Sequence, residues 1–347
     1  MRTLIFGAGP LGSFIAARLH EAGQDVSLLA RRQRLADLRA HGVVLAYPRG
    51  EREVRRVPVV EQLGEDDTYD LVIVVMRKNQ ALQILPTLAQ NLHAETILFL
   101  MNDAAGPKGL VRTLGADRVM RGFPSIGGYL EGHVAHVLPF SAWALPIGEI
   151  DGRVTPRTRR VAAVLDAMRD QHVQVRSDMD AWLVTHVSGL IGMLGAYAAE
   201  GQPERFARTR DAIVLGIRAR EEALRAQVAV GIPITPAYFR AVPWIPEPLS
   251  VAAARPLATS RLFETGLFGH AVAARDEAQH LLGEFLGRVA ASGAPTPALD
   301  ELCAYLTHEE APMPDGSRAL PLRWGGVLAL GGALAAGALA YNRRRAG

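Results

Sequence analysis

The stretch TLIFGAGPLG at residues 3–12 decides the fold of this chain. Its first four residues form an apolar run of strand length, and three glycines follow at once in the spacing G-x-G-x-x-G, namely Gly7, Gly9 and Gly12. In this motif the first glycine permits a tight turn, the second lets the main chain approach a pyrophosphate, and the third lets the next helix pack closely on the strand. A helix that starts at Pro10 and Leu11 would direct its N–H groups and its dipole at the phosphates. The stretch therefore predicts a Rossmann-type dinucleotide site, with a glycine turn that binds no ligand as the alternative.

Outward from this motif, apolar runs of strand length alternate with amphipathic stretches as far as residue 176. Continuous apolar strands separated by helices predict a parallel, doubly wound sheet that is covered on both faces. Beyond residue 178 the pattern becomes helical, over Ala181–Ala199, Glu204–Val230 and roughly Leu257–Ala291. We therefore expect an α/β domain followed by an all-α domain. The expected division is a nucleotide-binding domain at 1–178, a helical substrate and dimerisation domain at 179–308, a linker at 309–323 and a hydrophobic helix at 324–342.

The end of the second predicted strand indicates which dinucleotide is bound. An NAD site needs Asp or Glu there to accept from the ribose 2′-hydroxyl, and this chain has Ala30, Arg31 and Arg32 instead. A guanidinium matches a 2′-phosphate by a bidentate, charge-assisted contact. We therefore expect NADP(H) as the cofactor, held by Arg31 and Arg32. The alternative is that the two arginines begin a solvated helix.

The composition excludes several classes of partner. The 347 residues carry a formal net charge of only +3, and the basic side chains are spread along the chain, which argues against nucleic-acid binding. The single Cys303 cannot form an internal disulfide, and an apolar strand begins at Thr3, so we expect a cytoplasmic protein. His133 and His136 lie in a predicted strand, where positions i and i+3 point to opposite faces, and we expect no metal site.

The segment from Trp324 to Tyr341, WGGVLALGGALAAGALAY, carries no charge, and three arginines follow it closely. Its length is about the minimum that crosses the apolar core of a bilayer. Three interpretations are open: a single-pass anchor, a helix packed on the protein or on a partner, and an interfacial anchor over 324–345. Against the first, a cytosolic N-terminal domain would leave the arginines on the far side of the membrane, contrary to the usual charge bias.

Further segments resemble the ketopantoate reductase (2-dehydropantoate 2-reductase) family. Besides GAGPLG they are LLARR, VVMRKNQ, LMNDAAG, GFPSIGGYLEG, DAWLVTH and SRLFE, so that the likeness covers roughly residues 1–307. The resemblance implies a two-domain architecture of the 6-phosphogluconate dehydrogenase type, with the active site in the cleft between the domains. It further implies that Arg77, Gln80 and Asn102 lie along the nicotinamide and the substrate. For Asn102 the alternative is a simple turn after a strand.

The catalytic half departs from the family pattern. Val184 stands where the resemblance places a lysine, and Ser188 and Gly192 stand where it places asparagines. The expected glutamate falls at about Ala278, with Glu277 beside it. Ser260 matches the family serine that contacts the substrate. We therefore take Asn102, Ser188 and Glu277 as candidate substrate-binding residues.

Reduction of a ketone needs a proton donor as the hydride arrives. Lysine occurs only at Lys78 and Lys108, so no lysine of the helical region can replace the missing one. The candidate catalytic residues are therefore His186, on the helix that carries Val184, and Lys78, with Ser260 assisting.

From these residues we expect an NADPH-dependent reductase of a small 2-oxo acid or a related carbonyl compound, assembled as a homodimer. A second hypothesis is a catalytically silent NADP-binding sensor or scaffold, attached to a membrane. A third is an enzyme like the opine dehydrogenases, which share the two-domain plan and would give His186 a proton-transfer role.

Overall fold

The computed structural model of the chain describes residues 1–260 and 274–324. These residues form two compact units, one of residues 1–188 and 274–292 and the other of residues 189–260 and 293–324. The sequence pattern had divided the chain at residue 178. The start of the helical region lies in the first unit because Asp180 and Arg288 form ion pairs there.

Twelve strands are described in the first unit. They are β1 Thr3–Phe6, β2 Val26–Leu29, β3 Val43–Ala46, β4 Arg52–Arg55, β5 Val59–Val60, β6 Tyr69–Val74, β7 Ala94–Leu100, β8 Val119–Gly122, β9 Ile126–Glu131, β10 Val134–Pro139, β11 Leu145–Glu149 and β12 Val173–Val175. Eight of them form the main sheet, in the order β12-β11-β8-β7-β6-β1-β2-β5. The pairs from β5 to β8 are parallel, whereas β11 runs antiparallel to β8. This is the predicted Rossmann-type sheet with two strands, β11 and β12, added in the opposite direction at one edge.

The described helices, in chain order, are α1 Pro10–Glu21, α2 Arg32–His41, α3 Lys78–Gln83, α4 Leu85–Gln90, α5 Lys108–Leu114, α6 Pro156–Asp166, α7 Met179–Ile191, α8 Gly195–Ala198, α9 Pro203–Arg208, α10 Arg210–Ala229, α11 Glu247–Ala258, α12 Arg275–Val289 and α13 Pro297–Thr307. Two expected helix boundaries were wrong. The helix expected over Leu257–Ala291 is not continuous, because α11 ends at Ala258 and α12 begins at Arg275. The helix expected over Glu204–Val230 is divided at Thr209, between α9 and α10.

Both faces of the main sheet are buried, as the continuous apolar strands predict. Side chains alternate across a strand, so Ile5 packs with Phe14 and Ile15 of α1, while Leu4 and Phe6 pack on the other face. All five of these side chains are at most 2% exposed. The carboxyl ends of β1, β2, β6, β7 and β8 therefore meet at one edge of a rigid layer, where an α/β fold places its ligand.

A second sheet, in the order β4-β3-β10-β9, packs near α1. The buried guanidinium of Arg18 on α1 joins the two layers, since it donates to Asp170 at 2.7 Å and to Glu53 on β4 at 2.9 Å. Nε2 of His136 on β10 lies 2.9 Å from a carboxylate oxygen of Glu131, and His133 stacks on His41. Within the described ranges no three His, Cys, Asp or Glu side chains are grouped to hold a metal ion.

In the second unit, α10 contacts α8, α9, α11 and α13. Residues 309–323, expected as a linker, are instead tied to α10 and α11 by hydrogen bonds. The carboxylate of Asp211 accepts from the amides of Ala319 at 2.7 Å and Leu320 at 3.1 Å. Further along α10, Arg218 donates to the carbonyl of Pro321 at 2.7 Å.

The hydrophobic segment beyond Trp324 lies outside the described residues. Of those that are described, Met179–Ala198 is long and apolar enough to cross a membrane, with a mean hydropathy of 1.3. However, 67% of its apolar window is buried inside the protein, which is also typical of a core helix.

Candidate dinucleotide site

The glycine loop between β1 and α1 has the geometry that its spacing predicts. A Cβ atom on Gly12 would lie 1.9 Å from the carbonyl oxygen of Gly7, so no larger residue fits there. Gly7 has φ +126° and packs against the carbonyl of Val75, where a Cβ would lie at 2.3 Å. A Cβ on Gly9, in contrast, would have no protein atom within 4 Å. Gly7 and Gly12 are therefore required by the fold itself, and Gly9 borders open space.

The start of α1 faces this open space. Gly9 is the N-cap of α1 and gives it no side-chain cap, and Pro10 occupies the first turn with the half-buried Leu11. Because the N-terminal N–H groups of a helix have no partner within the helix, they are donors for an anion. The positive end of the dipole adds to this attraction.

Arg31 and Arg32 stand at the end of β2, as expected, and both are exposed. The Arg31 guanidinium carbon lies 5.7 Å from the centre of the Phe6 ring, at the carboxyl end of β1. In the part of the chain that the structure describes, no carboxylate lies within 4.0 Å of either guanidinium. The two charges are thus available to a phosphate at the place where the ribose of a dinucleotide lies in this fold.

Arg34, which was not among the predicted site residues, stabilises the glycine loop by hydrogen bonds. Its guanidinium donates to the carbonyl of Ala8 at 2.9 Å, to the hydroxyl of Ser13 at 2.9 Å and to the carbonyl of His133 at 2.9 Å. Burial lowers the pKa of Arg34, and its side chain is half-buried beneath the loop. The only feature of the sequence that could have indicated this role is the position of Arg34, about one helical turn after Arg31.

Asn102 follows β7 at the same edge of the sheet and is half-buried. Its side-chain oxygen is shielded from solvent and has no hydrogen-bond partner among the described residues. An unpaired buried acceptor is unfavourable by about 1–3 kcal/mol. The amide is therefore placed to accept from a ligand, which favours a binding role over a simple turn.

Lys78 does not face the cofactor edge as a free amine. Its Nζ lies 2.9 Å from Oδ1 of Asp103 and 3.6 Å from Oε1 of Glu284, and its side chain is 2% exposed. Lys78 was expected as a candidate proton donor. The structure argues against this role, because its ammonium group is buried in an ion pair with Asp103 and Glu284.

The same ion-pair network continues on the other side of Asp103. Oδ2 of Asp103 lies 3.0 Å from Arg121 at the end of β8, and Arg121 lies 2.8 Å from Asp180, which also pairs with Arg288. Burial alone would raise the pKa of Asp180, but Arg121 and Arg288 outweigh it and hold this pKa below its usual range. Three cations thus face three carboxylates.

This network holds the loop after β7. Asp103 accepts from the amide of Gly106 at 3.2 Å, and Glu284 accepts from the amides of Ala104 and Ala105 at 3.3 Å each. The loop that carries Asn102 is therefore fixed by buried charges. The only sequence feature that could have indicated this network is the spacing of Glu284 and Arg288, which lie one helical turn apart.

Arg77 and Gln80 lie at the start of α3, which follows β6 at the cofactor edge of the sheet. Arg77 pairs with Asp276 at 3.2 Å, and the side chain of Gln80 is exposed. Glu277 is buried, and its Oε1 accepts from the amide of Lys78 at 3.4 Å. Its carboxylate thus lies at the N-terminus of α3, where the dipole stabilises it, so a substrate contact is not what holds it there.

His186 lies in an aromatic cluster with Phe123 and Trp182. Its ring is 4.1 Å from that of Phe123 and is stacked on Trp182 at 5.2 Å. Burial lowers the pKa of His186 from 6.5 to about 4. The imidazole is therefore neutral at pH 7 and can donate a hydrogen bond only as a neutral N–H.

The remaining candidates lie within a helix or just after one. Val184 is fully buried, and the hydroxyl of Ser188, also fully buried, donates back to the carbonyl of Val184 at 3.0 Å. Ser188 is therefore not open to a substrate, contrary to expectation. In the second unit, the hydroxyl of Ser260 donates to the carbonyl of Leu257 at 2.7 Å, just after α11 ends.

The residues fit a bound dinucleotide on three observations: open space at Gly9, two arginines at the end of β2 and the side-chain oxygen of Asn102, these last two groups having no carboxylate or hydrogen-bond partner, respectively, among the described residues. A parallel sheet with this phosphate loop defines a dinucleotide-binding domain of the oxidoreductase type. Residues 3–149 match the ketopantoate reductase PanE/ApbA family. The chain therefore carries a domain of that family, whose members are oxidoreductases that bind NAD(P)H.

Two relatives support this assignment. An uncharacterised oxidoreductase of Bacillus subtilis, YkpB, is 26% identical over 178 residues, which is 50% of this chain and 56% of the relative. The chain thus spans just over half the length of that relative. A 2-dehydropantoate 2-reductase of Mesorhizobium japonicum is 25% identical over 268 residues, covering 67% of this chain and 79% of the relative.

Among solved structures, D-mandelate dehydrogenase with NADH and anilino(oxo)acetate has the same fold. The TM-score is 0.70 at 14% identity, over 89% of this chain and 98% of that one. At this identity the likeness concerns the fold alone.

Proposed function

We propose that the protein is an NADPH-dependent reductase of a small 2-oxo acid or a related carbonyl compound. The observation that carries the proposal is the phosphate loop with its open Gly9, next to Arg31 and Arg32 at the end of β2. A bound dinucleotide would supply the hydride. One relative agrees with this substrate class, since it is a 2-dehydropantoate 2-reductase.

The preference for NADPH rests on charge. Arg31 and Arg32 are exposed cations without carboxylate partners in the described ranges, and the position after β2 has no Asp or Glu to accept from a ribose hydroxyl. A guanidinium contact to a 2′-phosphate contributes about 1.5–3 kcal/mol. NADPH should therefore bind roughly 10–150 times more tightly than NADH.

The carbonyl group of the substrate needs a polarising donor. Asn102 is held at the cofactor edge by the buried network, and His186 lies in the same unit as a neutral imidazole. A neutral imidazole is a known electrophile at carbonyl groups in other enzymes, because it donates a hydrogen bond without carrying a charge. We assign the hydrogen-bond donor role to His186 and the binding role to Asn102, and the proton that the product hydroxyl gains as the hydride arrives would come from water.

The test is NADPH oxidation by the full chain in mild detergent, with ketopantoate and a panel of 2-oxo acids. Turnover of about 1 s⁻¹ or more on one of them is expected. Arg31→Ala should weaken NADPH binding about 10–150-fold and leave NADH binding nearly unchanged. Equal weakening of both cofactors would contradict the role of Arg31.

A second candidate is a catalytically silent NADP-binding protein. The lack of an evident charged proton donor among the candidate residues favours it. Val184 stands where the resemblance places a lysine, Lys78 is buried in an ion pair, and the pKa of His186 is about 4. Tight NADPH binding with no turnover on any oxo acid would select this candidate over the reductase.

A further inference from the structure

The second unit exposes several large apolar side chains close together in sequence. Tyr238 is 67% exposed, Trp244 82%, Ile245 45% and Leu249 54%. Trp324, at the end of the described chain, is 57% exposed. We call these five residues the apolar patch. Three aromatic side chains with polar tips are an unusual group to leave in water, and Trp and Tyr are enriched where membranes meet water.

Residues 319–323, just before Trp324, are fixed by hydrogen bonds to α10 and α11. Residues 319–320 bond to Asp211 at the start of α10, and Pro321 bonds to Arg218, two turns further along. The amide of Arg323 then donates to Glu247 at 2.9 Å. Glu247 begins α11 and follows Trp244 by three residues, so the residue before Trp324 is bonded to the chain just after Trp244 and Ile245.

The sequence that follows has the composition of a lipid-soluble segment. Residues 325–341 carry no charged side chain, and Arg343, Arg344 and Arg345 follow. As a helix, these 17 residues would be about 25 Å long, which compares with about 30 Å for the hydrocarbon core of a bilayer.

We propose that the apolar patch is a docking surface for a lipid bilayer, on which the second unit rests while residues 325–341 enter the lipid beside it. The segment brings the unit to the membrane, and the patch sets which face meets the headgroups. Trp244, Tyr238 and Trp324 would lie at the interface, where an aromatic ring has one apolar side and one polar tip.

A groove on the same unit is the rival place for the segment. It is lined by Leu224, Val228, Ile234 and Pro243 among others and has a volume of about 300 Å³. A cavity of that size holds one small ligand, whereas the segment would need a trough about 25 Å long. The groove can therefore take a few of its side chains but cannot cover it.

The experiment uses the full chain with phosphatidylcholine vesicles, made with or without bromine on the acyl chains, and follows tryptophan fluorescence. Bromine in the lipid should quench part of the signal. Trp244→Phe should remove part of the quenched signal. The control Trp143→Phe, which removes an exposed tryptophan of the first unit, should leave the quenched signal unchanged.

Deletion of residues 325–347 should lower co-sedimentation with the vesicles about tenfold or more. Vesicle binding in which Trp244→Phe leaves the quenched signal intact would overturn the proposal, because the segment would then enter lipid without the patch. Absence of vesicle binding would also overturn it. Burial of Trp244 that depends on protein concentration without lipid would mean that a second copy covers the patch instead.

Discussion

Two glycines of the phosphate loop, Gly9 and Gly12, should respond in opposite ways to replacement by alanine. In Gly9→Ala, the new methyl group meets no protein atom within 4 Å, and Gly9 has φ −69°, which alanine adopts without strain. The fold should therefore tolerate the change. A methyl group in the open space would, however, prevent a pyrophosphate from approaching the main chain.

The expected magnitudes separate binding from stability. A glycine-to-alanine change at a compatible backbone position raises stability by about 0.4–1 kcal/mol, because the unfolded chain loses freedom. Loss of the hydrogen bonds from main-chain N–H groups to a charged phosphate weakens binding by about 1.5–3 kcal/mol or more. Gly9→Ala should therefore melt at or slightly above the wild-type temperature and bind NADPH at least roughly tenfold more weakly.

The assay is a fluorescence titration with NADPH, together with thermal unfolding followed by circular dichroism. Gly12→Ala is the matched control, since its methyl group would lie 1.9 Å from the carbonyl oxygen of Gly7. That variant should lose stability and binding together, by the strain of an overpacked site. If Gly9→Ala binds NADPH as tightly as the wild type does, the pyrophosphate does not lie over this loop and the reasoning is refuted.

Two further predictions concern buried titratable side chains. Asp103→Asn leaves the cations of Lys78 and Arg121 with one carboxylate fewer, which should lower stability by about 3–5 kcal/mol and the unfolding temperature by roughly 6–20 °C; the exposed Asp151→Asn should change little in the same thermal scan. His186→Phe should alter the pH dependence of stability. Because burial lowers the pKa of His186 to about 4, the unfolded chain takes up the proton first as the pH falls from 6.5, and stability is lost down to about pH 4. At pH 5 this effect lowers the free energy of unfolding of the wild type by about 2 kcal/mol. Urea unfolding of His186→Phe should show no such decrease between pH 7 and pH 5. If the variant and the wild type lose the same free energy of unfolding over this range, the low pKa of His186 is contradicted.

The nucleotide half of the fold could be predicted because its signals are local. The glycine spacing, the strand before it and Arg31 after β2 lie within about 30 residues, and each has a direct steric or electrostatic meaning. The helical region was less predictable. Apolar periodicity continues through Leu257 and beyond, but Pro256 lacks an N–H, and α11 ends two residues after it. The proline was the available signal for this boundary.

The catalytic half could not be predicted because its side chains are oriented by distant partners. Lys78 resembles an available amine in the sequence, yet Asp103 and Glu284, 25 and 206 residues away, enclose it. The pKa of His186 depends on burial beside Phe123 and Trp182, which no local pattern shows. Asn102 was assigned from the resemblance, and its unpartnered oxygen is visible only in three dimensions.

The three arginines near the end of β2 have different consequences for how this protein can evolve. Arg31 and Arg32 are exposed, so acidic replacements there would favour NADH over NADPH without disturbing the scaffold. Arg34 contacts the carbonyl of Ala8 and the hydroxyl of Ser13, so the same replacement would dismantle the loop that both coenzymes share. Substitutions at Arg31 and Arg32 can therefore change the choice of coenzyme, whereas Arg34 is constrained by the fold. All three residues are arginines within a stretch of four.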